Sequence, residues 1–128
     1  MSVTSLRGVP EWSELLGAVW ERGRSMHPEY GRASIRVHPE RHAIVAGVDD
    51  FVLDDERYAF LRLAPDIVPL AEHDYEGLAH PVLWAREVRG ARVVYDALGH
   101  DEASFDAAPH RLLVSRAARW LLRGDAGG

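Results

Sequence analysis

The residues best suited to chemistry in this sequence are Gly99-His100-Asp101, which directly follow a predicted strand from Arg92 to Leu98. In open α/β sheets, ligands bind in crevices outside the carboxyl ends of strands, so this triplet stands where a site is expected. Glycine allows a sharp turn, and an imidazole can accept or donate a proton near neutral pH. Asp101 could then orient the His100 ring. The structural alternative is that Asp101 caps the next turn and that His100 is an ordinary loop residue.

A second candidate is the acidic run Asp54-Asp55-Glu56, which Tyr58 follows closely. Neighbouring carboxylates repel each other, and proteins accept this repulsion where a cation, an arginine or a polar substrate is near. On a strand, Asp55 and Glu56 would point to opposite faces, so the run cannot act as one surface. The alternative is a solvated loop.

The third candidate pairs an aromatic residue with a cation on a predicted hairpin. Trp84 and Arg86 are two residues apart, which places them on the same face of a strand. An aromatic ring beside a guanidinium suits the stacking of a sugar and the binding of its hydroxyl groups. Core packing combined with a salt bridge explains the same pattern.

Several kinds of chemistry are disfavoured or excluded by what the sequence lacks. There is no cysteine, which excludes disulfides, Cys-ligated zinc, iron–sulfur clusters and a thiol nucleophile. None of the seven histidines forms an HExxH-type pair on a convincing helix. A phosphate-binding glycine loop and a Gly-x-Ser-x-Gly elbow are also missing. We therefore predict neither a metal nor a cofactor.

Charge and hydropathy further restrict the kinds of partner that we expect this protein to bind. Fifteen Lys and Arg against twenty Asp and Glu give a net charge of −5, a poor balance for binding nucleic acid. No apolar run approaches the roughly 20 residues that span a bilayer, and the first residues, Met1 to Gly8, do not resemble a secretory signal. These features predict a cytoplasmic protein whose partners are neither nucleic acid nor a membrane.

The elements that must position these residues form a single α/β domain of 128 residues, with helices packed on a mixed sheet. A Gly-containing loop, Arg89-Gly90-Ala91, predicts a β-hairpin between its flanking strands. Pro69 interrupts an apolar segment and so predicts an edge strand there. We expect residues 124–128 to be a flexible tail. The predicted elements are a first helix from Pro10 to Gly23, strands near residues 33–37, 67–71, 81–88 and 92–98, and a last helix from Pro109 to Arg123.

The order of short motifs along the chain resembles the ThuA-like domain, the trehalose-utilisation family. The resemblance covers about Glu11 to Gly124, and each motif is short. The motifs are Leu16-Gly17, Met26-His27-Pro28, His42-Ala43-Ile44 with Gly47, Asp55-Glu56-Arg57-Tyr58, Pro81 to Glu87, Gly90 to Val93, Leu98 to Asp101 with Phe105, and the helix from Arg111 to Trp120.

The resemblance implies a flavodoxin-like α/β fold of the class I glutamine amidotransferase-like superfamily. It also implies a role in trehalose, other disaccharide or glycoside catabolism, with a small carbohydrate as partner. Glutaminase chemistry is not expected, because the chain has no cysteine. The residues carried over are, for catalysis, His100, Asp101, Asp55 and Glu56, which should converge on one cleft, and, for substrate binding, His27, Tyr58, Trp84 and Arg86.

Members of this family are usually longer on the N-terminal side, so the chain resembles the C-terminal half of such a domain. The alternative function is therefore a non-catalytic, truncated domain that binds a sugar or a protein, or is inactive alone. A sheet without its other half should expose an apolar patch and an unpaired strand edge. We accordingly expect a homo-oligomer, or marginal stability in isolation.

Overall fold

The fold, seen in a computed structural model that describes residues 8–123, is α/β, as predicted. The sequence-predicted tail, residues 124–128, lies outside the described residues. Seven strands and two α-helices follow the order α1 (Pro10–Leu16), β1 (Ala18–Val19), β2 (Gly31–Val37), β3 (Phe51–Asp55), β4 (Arg62–Leu63), β5 (Pro69–Tyr75), β6 (Leu78–Val88), β7 (Ala91–Asp96) and α2 (Ala108–Arg123). Two short 3-10 helices, Ala43–Val45 and Glu102–Asp106, precede β3 and α2.

The main sheet has five strands in the order β3-β2-β5-β6-β7, and β1 pairs separately with β4. We expected a mixed sheet, but all strand pairings among residues 8–123 are antiparallel. Tight turns explain the antiparallel pairing of β5 with β6 and of β6 with β7. Glu76-Gly77 and Arg89-Gly90 each have positive φ at both residues, as type I′ hairpin turns require. The predicted hairpin around Gly90 is confirmed, with Trp84 opposite Tyr95.

The first helix is shorter than its apolar spacing predicts. It ends at Leu16, because Gly17 adopts a left-handed conformation with φ of 85° and donates its N–H to the Ser13 carbonyl. The chain then extends into β1, so Trp20 lies outside the helix that carries Trp12. A Cβ on Gly17 would stand 2.5 Å from Arg86 Nη1 and from Ile67 Cδ1. Gly17 therefore lets two side chains, Arg86 and Ile67, pack closely against the end of the helix.

The strand that begins at Pro69 lies inside the sheet, not at its edge. It pairs with β6 on one side and with β2 on the other. Pro69 is tolerated because it is the first residue of β5, before the residues that pair with β2, which are Ala71 and Glu72. Register shifts between Pro69 and Glu72 accommodate the proline and bend the strand.

Two apolar clusters hold the elements together. One lies between the sheet and α2, which contributes Leu113, Ala117 and Trp120. The other joins α1 to Trp84 and its neighbours. Several large apolar side chains of α2 face outward, and Leu122 is 88% exposed. Over the described part of the chain, neither helix is long and apolar enough to cross a membrane.

Candidate functional site

Asp55 ties the end of β3 to the loop after β7. Its carboxylate is completely buried. Oδ1 accepts hydrogen bonds from the backbone N–H groups of Glu56 at 2.9 Å and His100 at 3.0 Å, and Oδ2 accepts one from Gly99 at 2.8 Å. This carboxylate positions the backbone of the site instead of facing a ligand.

Glu56 lies between two imidazole rings. Its Oε1 is 3.7 Å from His27 Nε2, and its Oε2 is 3.6 Å from His100 Nδ1. The Glu56 side chain is only 13% exposed, whereas the two histidines are 46% and 38% exposed. The structure therefore brings together Asp55, Glu56 and His100, as expected from the resemblance, and adds His27 to them.

The His27 loop is fixed by a short backbone bridge. Met26 and Ala59 exchange N–H···O hydrogen bonds of 3.1 and 2.8 Å. The His27 ring donates from Nδ1 to the Pro28 carbonyl, which lies 3.2 Å away and can only accept. Nε2 therefore faces Glu56, and a favourable contact requires a proton on one of these two groups. A carboxylate beside an imidazole is an arrangement suited to acid–base chemistry.

A cleft of about 260 Å³ opens beside Glu56 and His100. It is smaller than the roughly 300–1,000 Å³ of sites for drug-sized ligands, so it suits one small ring. Burial, then the neighbouring Tyr95, Glu56 and Asp55, raises the pKa of Tyr58 to about 12. Tyr58 thus remains a neutral phenol. The lining residues are Glu56, Tyr58, Tyr95, Asp96, Ala97, Leu98, Gly99 and His100.

Asp101 has the capping role that the sequence left open. Its Oδ1 accepts the N–H of Ala103 at 3.0 Å, at the start of the second 3-10 helix. The same oxygen accepts the hydroxyl of Tyr30 at 3.1 Å, and the Tyr30 ring lies 6.2 Å from that of His100. Glu56, not Asp101, is the carboxylate with a resolved contact to the His100 ring.

Trp84 and Arg86 do not line the cleft. Trp84 is completely buried, stacks on Tyr95 and donates from its indole N–H to the Leu16 carbonyl at 2.8 Å. Arg86 donates to the Glu14 carbonyl and pairs with Asp66. The hairpin pattern could not reveal this, because α1 packs over that face of the sheet.

Sequence reasoning missed four residues around the cleft. The ring centroid of Trp20 lies 5.2 Å from that of Tyr58 and 6.4 Å from that of His27. Tyr30 lies beside His100, and Asp96 lines the cleft. Tyr95, which lies opposite Trp84 on the hairpin, also lines it. Within residues 8–123, no three His, Asp or Glu side chains are arranged to hold a metal ion.

Comparisons with known proteins bear on the family and the fold of the chain. The chain matches the family model ThuA, described as trehalose utilisation, over residues 2–121. It resembles the crystal structure of a ThuA-like protein from Parabacteroides merdae, with a TM-score of 0.76 and 18% identity. That match covers 93% of this chain and 57% of the other. No curated protein matches. The family match over nearly the whole chain shows that this protein belongs to the ThuA, or trehalose-utilisation, family.

Proposed function

We propose that the cleft beside Glu56 binds a small carbohydrate and that the protein acts in the cytoplasmic breakdown of trehalose, other disaccharides or glycosides. The observation that carries this proposal is the Glu56 carboxylate held within 4 Å of two imidazoles at the margin of a small cleft. Such a carboxyl group can take a proton from a hydroxyl or, when protonated, donate one to an acetal oxygen. Membership of the trehalose-utilisation family supports the sugar class.

The cleft supplies the contacts that a sugar ring needs. His100 is the proposed acid or base, because its ring is partly exposed and its Nδ1 lies 3.6 Å from the Glu56 carboxylate. Tyr58, a neutral phenol, lines the cleft beside them. Trp20 and Tyr30 supply aromatic surface near the two histidines, on which the apolar face of a sugar can pack. Asp55 acts through the backbone, by fixing His100 against Glu56.

A second function follows from the extent of the comparison. The chain spans about 57% of the ThuA-like structure from Parabacteroides merdae. We propose that it corresponds to part of a larger domain of the ThuA family. In that case the isolated chain binds a sugar or a protein partner without turnover, or assembles with a further copy. Binding without reaction is the signature of this alternative.

The test is to titrate the protein with trehalose, maltose and glucose while following its amide signals by NMR. We expect shifts confined to residues 56–58 and 97–101. Glu56→Gln and His100→Gln should each weaken binding roughly ten-fold, as expected when one charged hydrogen bond is lost.

Asp54→Asn is the matched control, because Asp54 is the neighbouring acid but pairs with Arg32 at the surface. It should leave affinity unchanged. Sugar-dependent shifts elsewhere on the protein, or none at millimolar sugar, would refute the proposed site. Product analysis of the same samples by NMR then separates the enzyme from the binding module.

A further inference from the structure

A buried histidine outside the proposed catalytic set contacts Asp96, which lines the cleft. His110, in the first turn of α2, is 1% exposed. Its Nδ1 lies 3.1 Å from the Ser104 carbonyl, and its Nε2 lies 2.6 Å from Asp96 Oδ2. A carbonyl and a carboxylate both accept hydrogen bonds, so both ring nitrogens must carry protons to satisfy both contacts. The geometry therefore describes an imidazolium paired with a carboxylate.

Asp96 links His110 to the loop that carries His100. Its other oxygen, Oδ1, accepts the backbone N–H of Leu98 at 2.9 Å. The next two N–H groups, of Gly99 and His100, go to Asp55. Two carboxylates thus hold three successive backbone groups, and they do so directly before the His100 side chain enters the cleft. Asp96 also lines that cleft.

The surroundings of His110 favour its charged form. Burial acts to lower its pKa, but the hydrogen bond and charge of Asp96, the Ser104 carbonyl and the charge of Asp55 outweigh burial and raise the pKa above 6.5. Phe105, in the second 3-10 helix, stacks on the His110 ring with 4.7 Å between the ring centroids. The neighbouring Arg111 directs its guanidinium to the Phe105 carbonyl. Asp96 and Asp55 are thus the charged groups resolved as acting on His110.

We propose that the His110–Asp96 ion pair is a proton-dependent brace that sets His100 against Glu56, which makes His110 a positioning residue of the cleft. When His110 loses its proton, one of its two hydrogen bonds is lost and Asp96 loses its cationic partner. Residues 97–100 then have one firm anchor, Asp55, in place of two. Ligand affinity at the cleft should fall with this deprotonation, a consequence that rests on the proposed function.

Side-chain NMR of the histidines tests the brace without any sugar. Across a titration from pH 5 to 9, we expect the His110 ring to show both nitrogens protonated at neutral pH. The His100 signals should show a second inflection at the pH where His110 titrates. In His110→Gln this second inflection should disappear while the first remains.

His38→Gln is the matched control, since His38 forms another partly buried histidine–carboxylate pair, with Glu72, and neither residue lines the cleft. It should retain both inflections. A His100 titration with a single inflection in the wild-type protein would overturn the proposal, even if His110→Gln failed to fold. A singly protonated His110 ring at pH 6 would overturn it as well. Because no sugar is present, these outcomes are independent of whether the cleft binds carbohydrate.

Discussion

The carboxylate of Asp55 accepts a hydrogen bond from the backbone N–H of His100 at 3.0 Å, although 45 residues separate them in the chain. This contact makes the acidic run and the Gly99-His100-Asp101 triplet parts of one site. It also gives the three acids different roles. Asp54 pairs with Arg32 at the surface, Asp55 is buried beneath the loop, and Glu56 faces the cleft.

Replacing Asp55 should therefore cost stability as well as function. Asp55→Ala leaves three backbone N–H groups without their acceptor, and each hydrogen bond to a charged group is worth about 1.5–3 kcal/mol. We expect a loss of about 3 kcal/mol or more in the free energy of unfolding, measured by urea denaturation at pH 7.

Asp54→Asn serves as the control for this loss. The Asp54 and Arg32 side chains are 49% and 68% exposed, and exposed ion pairs contribute less than about 1 kcal/mol. A value for Asp55→Ala as small as that of Asp54→Asn would show that Asp55 does not hold the loop.

Gly17 is a second position where a small change should be costly. Gly17→Ala forces a side chain into a left-handed conformation and places its Cβ 2.5 Å from Arg86 Nη1 and Ile67 Cδ1. We expect a destabilisation of about 1–3 kcal/mol by urea denaturation. Gly31→Ala, where nothing lies within 4 Å, should change stability by less than about 1 kcal/mol. Equal effects at the two glycines would contradict the close packing seen at Gly17.

The sequence predicted the hairpin, and the resemblance implied that Asp55, Glu56 and His100 lie together, but the position of Pro69 and the end of the first helix were predicted wrongly. Arg89-Gly90 marks a turn by local backbone preference, so the register of β6 and β7 follows from residues near in sequence. The position of Pro69 depended on β2, which is distant in the chain and carries no sign of this pairing. The pairing with β2 thus decided what local propensity could not. The end of the first helix is local in origin, because Gly17 adopts a left-handed conformation, whereas the prediction followed the apolar spacing as far as Trp20.

Stability in mild acid should depend on His42. Its Nδ1 accepts the N–H of Ile44 at 3.1 Å, which requires that nitrogen to be unprotonated. Burial, and secondarily the charge of Arg92, lowers the pKa of His42 below 6.5. Between the two pKa values of His42, the unfolded chain binds a proton that the folded chain does not. The free energy of unfolding therefore falls as the pH drops below about 6.5, toward the pKa of His42 in the folded protein.

His42→Asn should remove this part of the acid sensitivity, because asparagine caps equally well and does not titrate. The measurement is the urea midpoint of each protein at pH 7 and pH 5. The difference between the two midpoints should be smaller in the variant. An unchanged difference would mean that His42 is not a source of the acid sensitivity, and His73, whose pKa burial also lowers, would then be the candidate.

The last prediction distinguishes the two tryptophans, Trp20 and Trp84, against which a bound sugar could pack. Trp84 is completely buried, so Trp84→Phe should lose the hydrogen bond to Leu16 and some packing, about 1–3 kcal/mol of stability, while sugar affinity stays the same. Trp20 contacts Tyr58 and His27, so Trp20→Leu should weaken binding about three- to ten-fold with a smaller loss of stability. Calorimetric titration with the tightest of the tested sugars, beside urea denaturation, measures both effects. The reverse pattern, with affinity lost at Trp84 and kept at Trp20, would place the sugar on the hairpin face and not in the cleft beside Glu56.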